Sequence, residues 1–155
     1  MRDRYDISTV LAADVETVWE HCSSMEGVSR ELWPLLRMTY PDGAASLVSS
    51  RFVPGKPLFR STLLLFGVLP IDRTDLTLVE LEPGRRFLER SPMATQRIWE
   101  HERLLEPIHG GTRVTDRVQW RGRFVGAGLP FAVAVPVLFR WRHHRLKRLF
   151  ARPDL

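Results

Sequence analysis

The sequence holds a single cysteine, Cys22, among 155 residues. One thiol cannot form an intrachain disulfide, and it excludes a zinc site built mainly from thiolates. Lysine is nearly missing as well. Lys56 and Lys147 are the only two, so the net charge of +5 rests almost entirely on arginine. Such a bias reflects base composition more often than a nucleic-acid role, and no nucleic-acid partner is expected. The longest nearly uncharged apolar run, Val125 to Phe139, is interrupted by Pro130 and Pro136. It falls short of the roughly 20 residues that cross a bilayer. The N-terminus runs from Met1-Arg2-Asp3-Arg4 straight into strand-like sequence with no apolar leader, which reads as a cytoplasmic protein.

Other signals of chemistry are missing too. Gly126-Ala127-Gly128 does not fit a phosphate-binding loop, and no serine lies in a nucleophile-elbow context. No His/Asp/Glu set has metal-ligand spacing. His143 and His144 are neighbours, pointing about 100° apart on a helix, and His109 falls in a turn. The expectation is therefore no metal and no cofactor.

What is present is ordinary globular composition, 44% hydrophobic and 26% charged. The length suits one domain over residues 1–155. Tyr5 to Leu11 reads as a strand. Asp14 can cap a short helix with Val15, Val18 and Trp19 at helical spacing, and Ser23-x-x-Glu26 has the form of a capping box opening a second one. Cys22 falls on or just after the first helix and is expected to pack rather than react. Arg37 to Tyr40 is a candidate strand. Ala44 to Pro57 carries the loop signal Pro54-Gly55-Lys56-Pro57, and Leu63-Leu64-Leu65-Phe66 fits either a buried strand or a helical turn. Strands are then expected over 75–81, 86–90, 96–105 and 112–120 as an antiparallel meander. Pro130 or Pro136 opens a helix to about Phe150. The whole is α+β: a strand, two short helices, a run of strands and a long C-terminal helix.

Residues 98–118 read as a hairpin about the turn from Pro107 to Gly111. With Leu105 opposite Thr112, Arg103 faces Val114, His101 faces Asp116 and Trp99 faces Val118. Alternation puts these six on one face. The other face pairs Glu100 with Arg117, Glu102 with Thr115 and Leu104 with Arg113, and it looks solvated. A slip of one residue would bury Glu100, Glu102 and Arg117, so the face bearing Trp99, Val118 and Trp120 turns inward with His101, Arg103 and Asp116. A carboxylate beside an imidazole fixes its tautomer, so the pair can orient a ligand or move a proton. Equally, the two can simply satisfy each other in the interior. Glu89, sharing a strand with Phe87 and Ser91, either extends this cluster or marks its rim. On the last helix Val135, Leu138, Phe139, Leu146, Leu149 and Phe150 form an apolar stripe. Arg142 lies within it, either reaching Asp116 or Glu89 or packing its stem with the head turned out. The crowding of Arg140, Arg142, Arg145, Lys147, Arg148 and Arg152 near the C-terminus admits contact with anionic membranes or acidic partners.

Three passages resemble the START-like or SRPBCC superfamily, the helix-grip fold shared by Bet v 1 allergens and the polyketide cyclase/dehydrase group. They are Ile7 to Trp19, Trp99 to Arg103 with Gly110 to Val118, and Phe139 to Leu146. The passage Ala44 to Pro70 has no counterpart. The resemblance implies a seven-stranded antiparallel sheet wrapped around the C-terminal helix, with a deep cavity between them. It implies binding or carriage of a hydrophobic small molecule (lipid, polyketide or similar). Trp99, Trp120, Val118, Phe87, Leu138 and Phe139 would form the walls, and His101, Arg103, Asp116, Glu89 and Arg142 would hold the polar end. Two alternatives stand beside this. One is a cyclase or dehydratase with His101 as general base, Asp116 orienting it and Arg103 stabilising an enolate. The other is peripheral membrane association through the basic C-terminal helix.

Overall fold

The computed structural model describes residues 3–48 and 52–151. Met1, Arg2 and Arg152 lie outside the described residues, as does the stretch 49–51 of the ambiguous segment. The chain runs β1 (Asp3–Leu11), α1 (Val15–Cys22), α2 (Met25–Leu32), β2 (Leu36–Met38), β3 (Pro57–Leu65), β4 (Leu69–Glu82), β5 (Arg86–Ser91), β6 (Gln96–Ile108), β7 (Gly111–Gly122) and α3 (Leu129–Leu149). The seven strands form one antiparallel sheet in the order β1-β7-β6-β5-β4-β3-β2. α3 lies along β1 and against α2. This is the α+β helix-grip architecture.

Local chemistry explains most boundaries. The Asp14 carboxylate accepts from the Thr17 N–H at 2.8 Å and caps α1 as expected. α2 is capped by Ser24, not Ser23: Ser24 is extended and accepts from the Gly27 N–H at 3.0 Å. Ser23 is already the C-cap of α1, with its N–H bonded to the Trp19 carbonyl at 2.9 Å, so it cannot also open the next helix. The ambiguous Leu63 to Phe66 stretch is the end of β3 and its turn. Phe66 and Gly67 take positive φ, 52° and 77°, and reverse the chain into β4. β4 therefore starts at Leu69, six residues before the expected start. Pro70 is tolerated there beside a register shift at Leu63/Leu64, where a missing N–H costs little. Pro130 opens α3 and Pro136 lies inside it.

The hairpin of β6 and β7 turns over His109-Gly110 alone, with Gly110 at φ 81°. This corrects the register by two residues. Leu105 pairs with Val114, Arg103 with Asp116, His101 with Val118 and Trp99 with Trp120. On the outer face Glu100 pairs with Gln119 and Glu102 with Arg117. A shift of two leaves every side chain on its face, so the inward set is as expected. The outward acids are paired: Arg86 bonds Glu102 at 2.7 Å, Arg90 bonds Glu100 at 2.9 Å and Arg117 bonds Glu102 at 3.1 Å.

Between sheet and helices lie two apolar clusters. The larger joins Val18, Cys22, Met25, Leu78, Leu105 and Leu146; the smaller joins Val118, Trp120, Val135 and Phe139. α1 and α2 touch most closely at Gly27, where a Cβ would meet the His21 carbonyl oxygen at 1.9 Å. Gly27→Ala is expected to cost about 1–3 kcal/mol through overpacking, read as a lowered urea midpoint with unchanged slope.

Candidate functional site

The two apolar clusters are bridged by a buried polar group centred on Arg103. β6 aims this side chain inward, and its exposure is 0%. Its Nε and Nη2 donate to Asp116 Oδ1 and Oδ2, each at 2.8 Å. Its Nη2 and Nη1 donate to Glu31 Oε1 and Oε2 at 2.8 and 2.9 Å. Nη1 also reaches Cys22 Sγ at 3.4 Å. A guanidinium has five N–H donors, and all five are committed here. The two carboxylates are equally full. Asp116 accepts from His101 Nε2 and His143 Nε2, each at 2.7 Å. Glu31 accepts from His21 Nε2 at 2.9 Å and Arg142 Nε at 3.1 Å.

The electrostatics follow from this geometry. Burial alone would raise the Asp116 carboxyl, but the adjoining Arg103 charge, helped by His101, holds it well below the usual range. Burial is opposed in the same way at Glu31 by Arg103 and Arg142, and its carboxyl is also lowered. Burial would lower Arg103, yet Asp116 and Glu31 hold it well above its ordinary value. At the Cys22 thiol Arg103 offsets burial only in part, and burial pushes it up to about 12. Glu89 lies at the cluster's far end. Burial raises its carboxyl above the usual range, with only partial relief from His101.

The structure brings His101, Arg103 and Asp116 together on the face that alternation implied, and adds Arg142. Neither expectation for Arg142 holds: the head turns inward, but to Glu31 rather than Asp116 or Glu89, with its guanidinium carbon 5.0 Å from the centre of the Phe139 ring. Val118 and Trp120 belong to the packed core, and the Trp120 N–H donates to the Gly128 carbonyl at 3.3 Å. Phe87 and Phe139 meet the His101 ring edge-on at 5.5 and 5.1 Å. Trp99 and Leu138 are half-buried. Glu31, His21 and His143 were not anticipated. Two inward arginines against one inward aspartate call for a second acid, but nothing in the sequence names Glu31 as that acid. His143 gives no sequence signal beyond its position one turn before Leu146 on the inward side of α3.

Around Arg103 the interior is filled by these side chains. At its edge Glu89 of β5 is the cross-strand partner of His101 of β6, and both are buried. The carboxylate of Asp116 is an acceptor only, so His101 donates through Nε2 and presents Nδ1 to Glu89. His101 Nδ1 and Glu89 Oε1 are 3.9 Å apart, too far for a hydrogen bond. Glu89 Oε2 accepts from the Ser91 hydroxyl at 2.7 Å. Trp99 lies alongside, its ring 6.0 Å from Phe131 and 6.3 Å from Phe139. Among the described residues no cluster of His, Cys, Asp and Glu could hold a metal ion.

Residues 9–150 match the model of a domain of unknown function, DUF8410. The chain belongs to that family. No curated protein matches the sequence. Solved structures match over nearly the full length at low identity, and they show the fold. The ZhuI aromatase/cyclase from Streptomyces sp. R1128 superposes with a TM-score of 0.70 at 12% identity, covering 98% of this chain and 95% of its own. A protein of Chromobacterium violaceum gives 0.70 at 14% identity, covering 98% and 99%. Ara h 8.0201 gives 0.59 at 8% identity, covering 94% and 98%. The DUF8410 chain thus has the helix-grip fold of these structures. Among its described residues no helix is long and apolar enough to cross a membrane.

Four outcomes follow from the buried cluster. Arg103→Met strands two buried carboxylates and is expected to cost about 3–5 kcal/mol in urea unfolding. Asp116 and Glu31 have lowered folded values, so the stability they confer is present above the unfolded carboxylate range and lost as pH falls; it should decline from about pH 5 downward. Glu89 runs the other way, because its folded value is raised. Its contribution is full below the unfolded value and lost as pH rises through the folded one. Glu89→Gln should therefore stabilise the protein at pH 7 and not at pH 4, measured as paired melting curves. Cys22 should react with a disulfide-exchange reagent only as the chain unfolds, so its labelling rate should rise with denaturant through the unfolding transition.

Proposed function

We propose that residues 1–155 form one ligand-binding domain for a hydrophobic small molecule with a single polar end, a lipid, polyketide or similar compound. The observation that carries this reading is the unclosed pair of Glu89 and His101, 3.9 Å apart. Every donor of Arg103 is committed, but the Glu89 carboxyl and the His101 Nδ1 retain capacity for a ligand hydroxyl or carbonyl. Trp99, Phe131 and Phe139 supply apolar contact beside it. Arg103, Asp116 and Arg142 then act by holding His101 and α3 in place rather than by touching the ligand.

A likeness of fold to an aromatase/cyclase supports keeping one catalytic reading beside it. Asp116 fixes His101 with Nε2 as donor, which leaves Nδ1 placed as a base toward whatever occupies the gap. In that reading Asp116 orients the base. Arg103 has no donor left for an enolate, so a protonated Glu89 is the nearer hydrogen-bond donor.

Native mass spectrometry of the purified protein is expected to show a co-purifying small molecule. Anilinonaphthalene sulfonate should bind with a fluorescence rise, and Trp99→Ala should weaken it about tenfold, a loss of roughly 1.4 kcal/mol. Equal dye binding by wild type, Trp99→Ala and Glu89→Gln would remove the gap as the site. His101→Gln separates the two readings: a variant that binds normally and no longer converts a candidate polyketide favours catalysis.

A further inference from the structure

The segment after β7 combines two features that the ligand site does not use. No acidic residue occurs between Asp116 and Asp154, while nine arginines and lysines do: Arg117, Arg121, Arg123, Arg140, Arg142, Arg145, Lys147, Arg148 and Arg152. The same stretch carries large apolar side chains turned to solvent. Val125 is 103% exposed and Phe124 63%, at the tip of the loop joining β7 to α3. Leu129 and Val133 follow at 72% each and Val137 at 56%, recurring every four residues along the outward side of α3. That spacing keeps them on one stripe, opposite the buried Val135, Phe139 and Leu146.

The cations ring this apolar tip. Arg97, Arg121 and Arg123 border the same open groove as Phe124, Val125 and Leu129, and Asp3 is the one acid among them. All three arginines are exposed. Arg123 is anchored by two bonds to the Met93 carbonyl, at 3.2 and 2.8 Å, so the ring is held to the sheet. Further along α3 the outward side changes from apolar to basic: Arg140, His144 and Lys147 continue the stripe begun by Leu129.

We infer that the loop from Arg121 to Gly128 and the first turns of α3 dock on an anionic lipid surface. Phe124 and Val125 insert among the acyl chains. Arg97, Arg121 and Arg123 meet the phosphates at headgroup level, where guanidinium forms paired hydrogen bonds to phosphate oxygens. The apolar and electrostatic contributions act at one place, as interfacial binding requires. This locates the contact at the amino-terminal end of α3, not at its basic C-terminal end.

The test is co-sedimentation with phosphatidylcholine vesicles, with and without phosphatidylglycerol, at rising salt. Wild type should bind only the phosphatidylglycerol vesicles and release as salt increases. Val125→Asp and the pair Arg97→Glu with Arg121→Glu should each weaken binding about tenfold or more. Their melting curves should match wild type, since all three side chains are exposed. Lys147→Glu with Arg148→Glu should retain most of the binding. Absence of vesicle binding by wild type overturns the inference. So does binding that Val125→Asp leaves intact, and so does retention of duplex DNA or self-association in its place.

Discussion

The structure depends on one guanidinium with no water around it. Arg103 is wholly buried and faces two carboxylates, each held by two hydrogen bonds. Such an arrangement is costly to desolvate, and it holds only if every lone pair and proton finds a partner. At Arg103, Glu31 and Asp116 that condition is met by residues far apart in sequence, while the buried Nδ1 of His143 has no partner among the described residues. Glu31 comes from α2, Asp116 from β7, and Arg142 and His143 from α3. The cluster therefore fixes where the short helices and the long helix stand against the sheet. The apolar clusters on either side supply the burial, and the polar centre supplies the register.

That closure also determines where chemistry is available. A fully committed Arg103 cannot bind a ligand, and a carboxylate accepting four hydrogen bonds cannot act as a base. Reactivity is displaced to the periphery, where His101 has one nitrogen held and the other turned toward a raised Glu89. Glu89, the one carboxyl of the cluster whose value is raised, stands where aromatic side chains meet the polar residues. The same separation holds on the outer face of the sheet, where Arg86, Arg90 and Arg117 are engaged by Glu100 and Glu102.

Much of this could be read from the residues. The inward face of the β6–β7 hairpin follows from alternation, because a one-residue slip would bury Glu100 and Glu102. The partners across the hairpin do not follow, because a two-residue shift leaves alternation unchanged and the turn could fall anywhere between Pro107 and Gly111. Asp14 is legible as a cap, since one side chain and one N–H three residues on define it. Ser24 is less so, with Ser23 beside it and no sequence rule to say which serine ends α1. Glu31 is hidden because it lies next to Leu32 on a helix of mixed character, and its burial depends on an arginine 72 residues away. The long β4 was obscured by Pro70, whose tolerance depends on an irregularity in the pairing with β3.

The saturation of Glu31 and Asp116 has a consequence for how relatives of this chain can diverge. With every hydrogen bond doubly accounted for, no single member of the set can be exchanged without stranding a charge on another. Drift at positions 31, 103, 116 and 142 should therefore be concerted. Lineages are expected to keep the whole constellation or to replace it together with an apolar interior, with few intermediate sequences between.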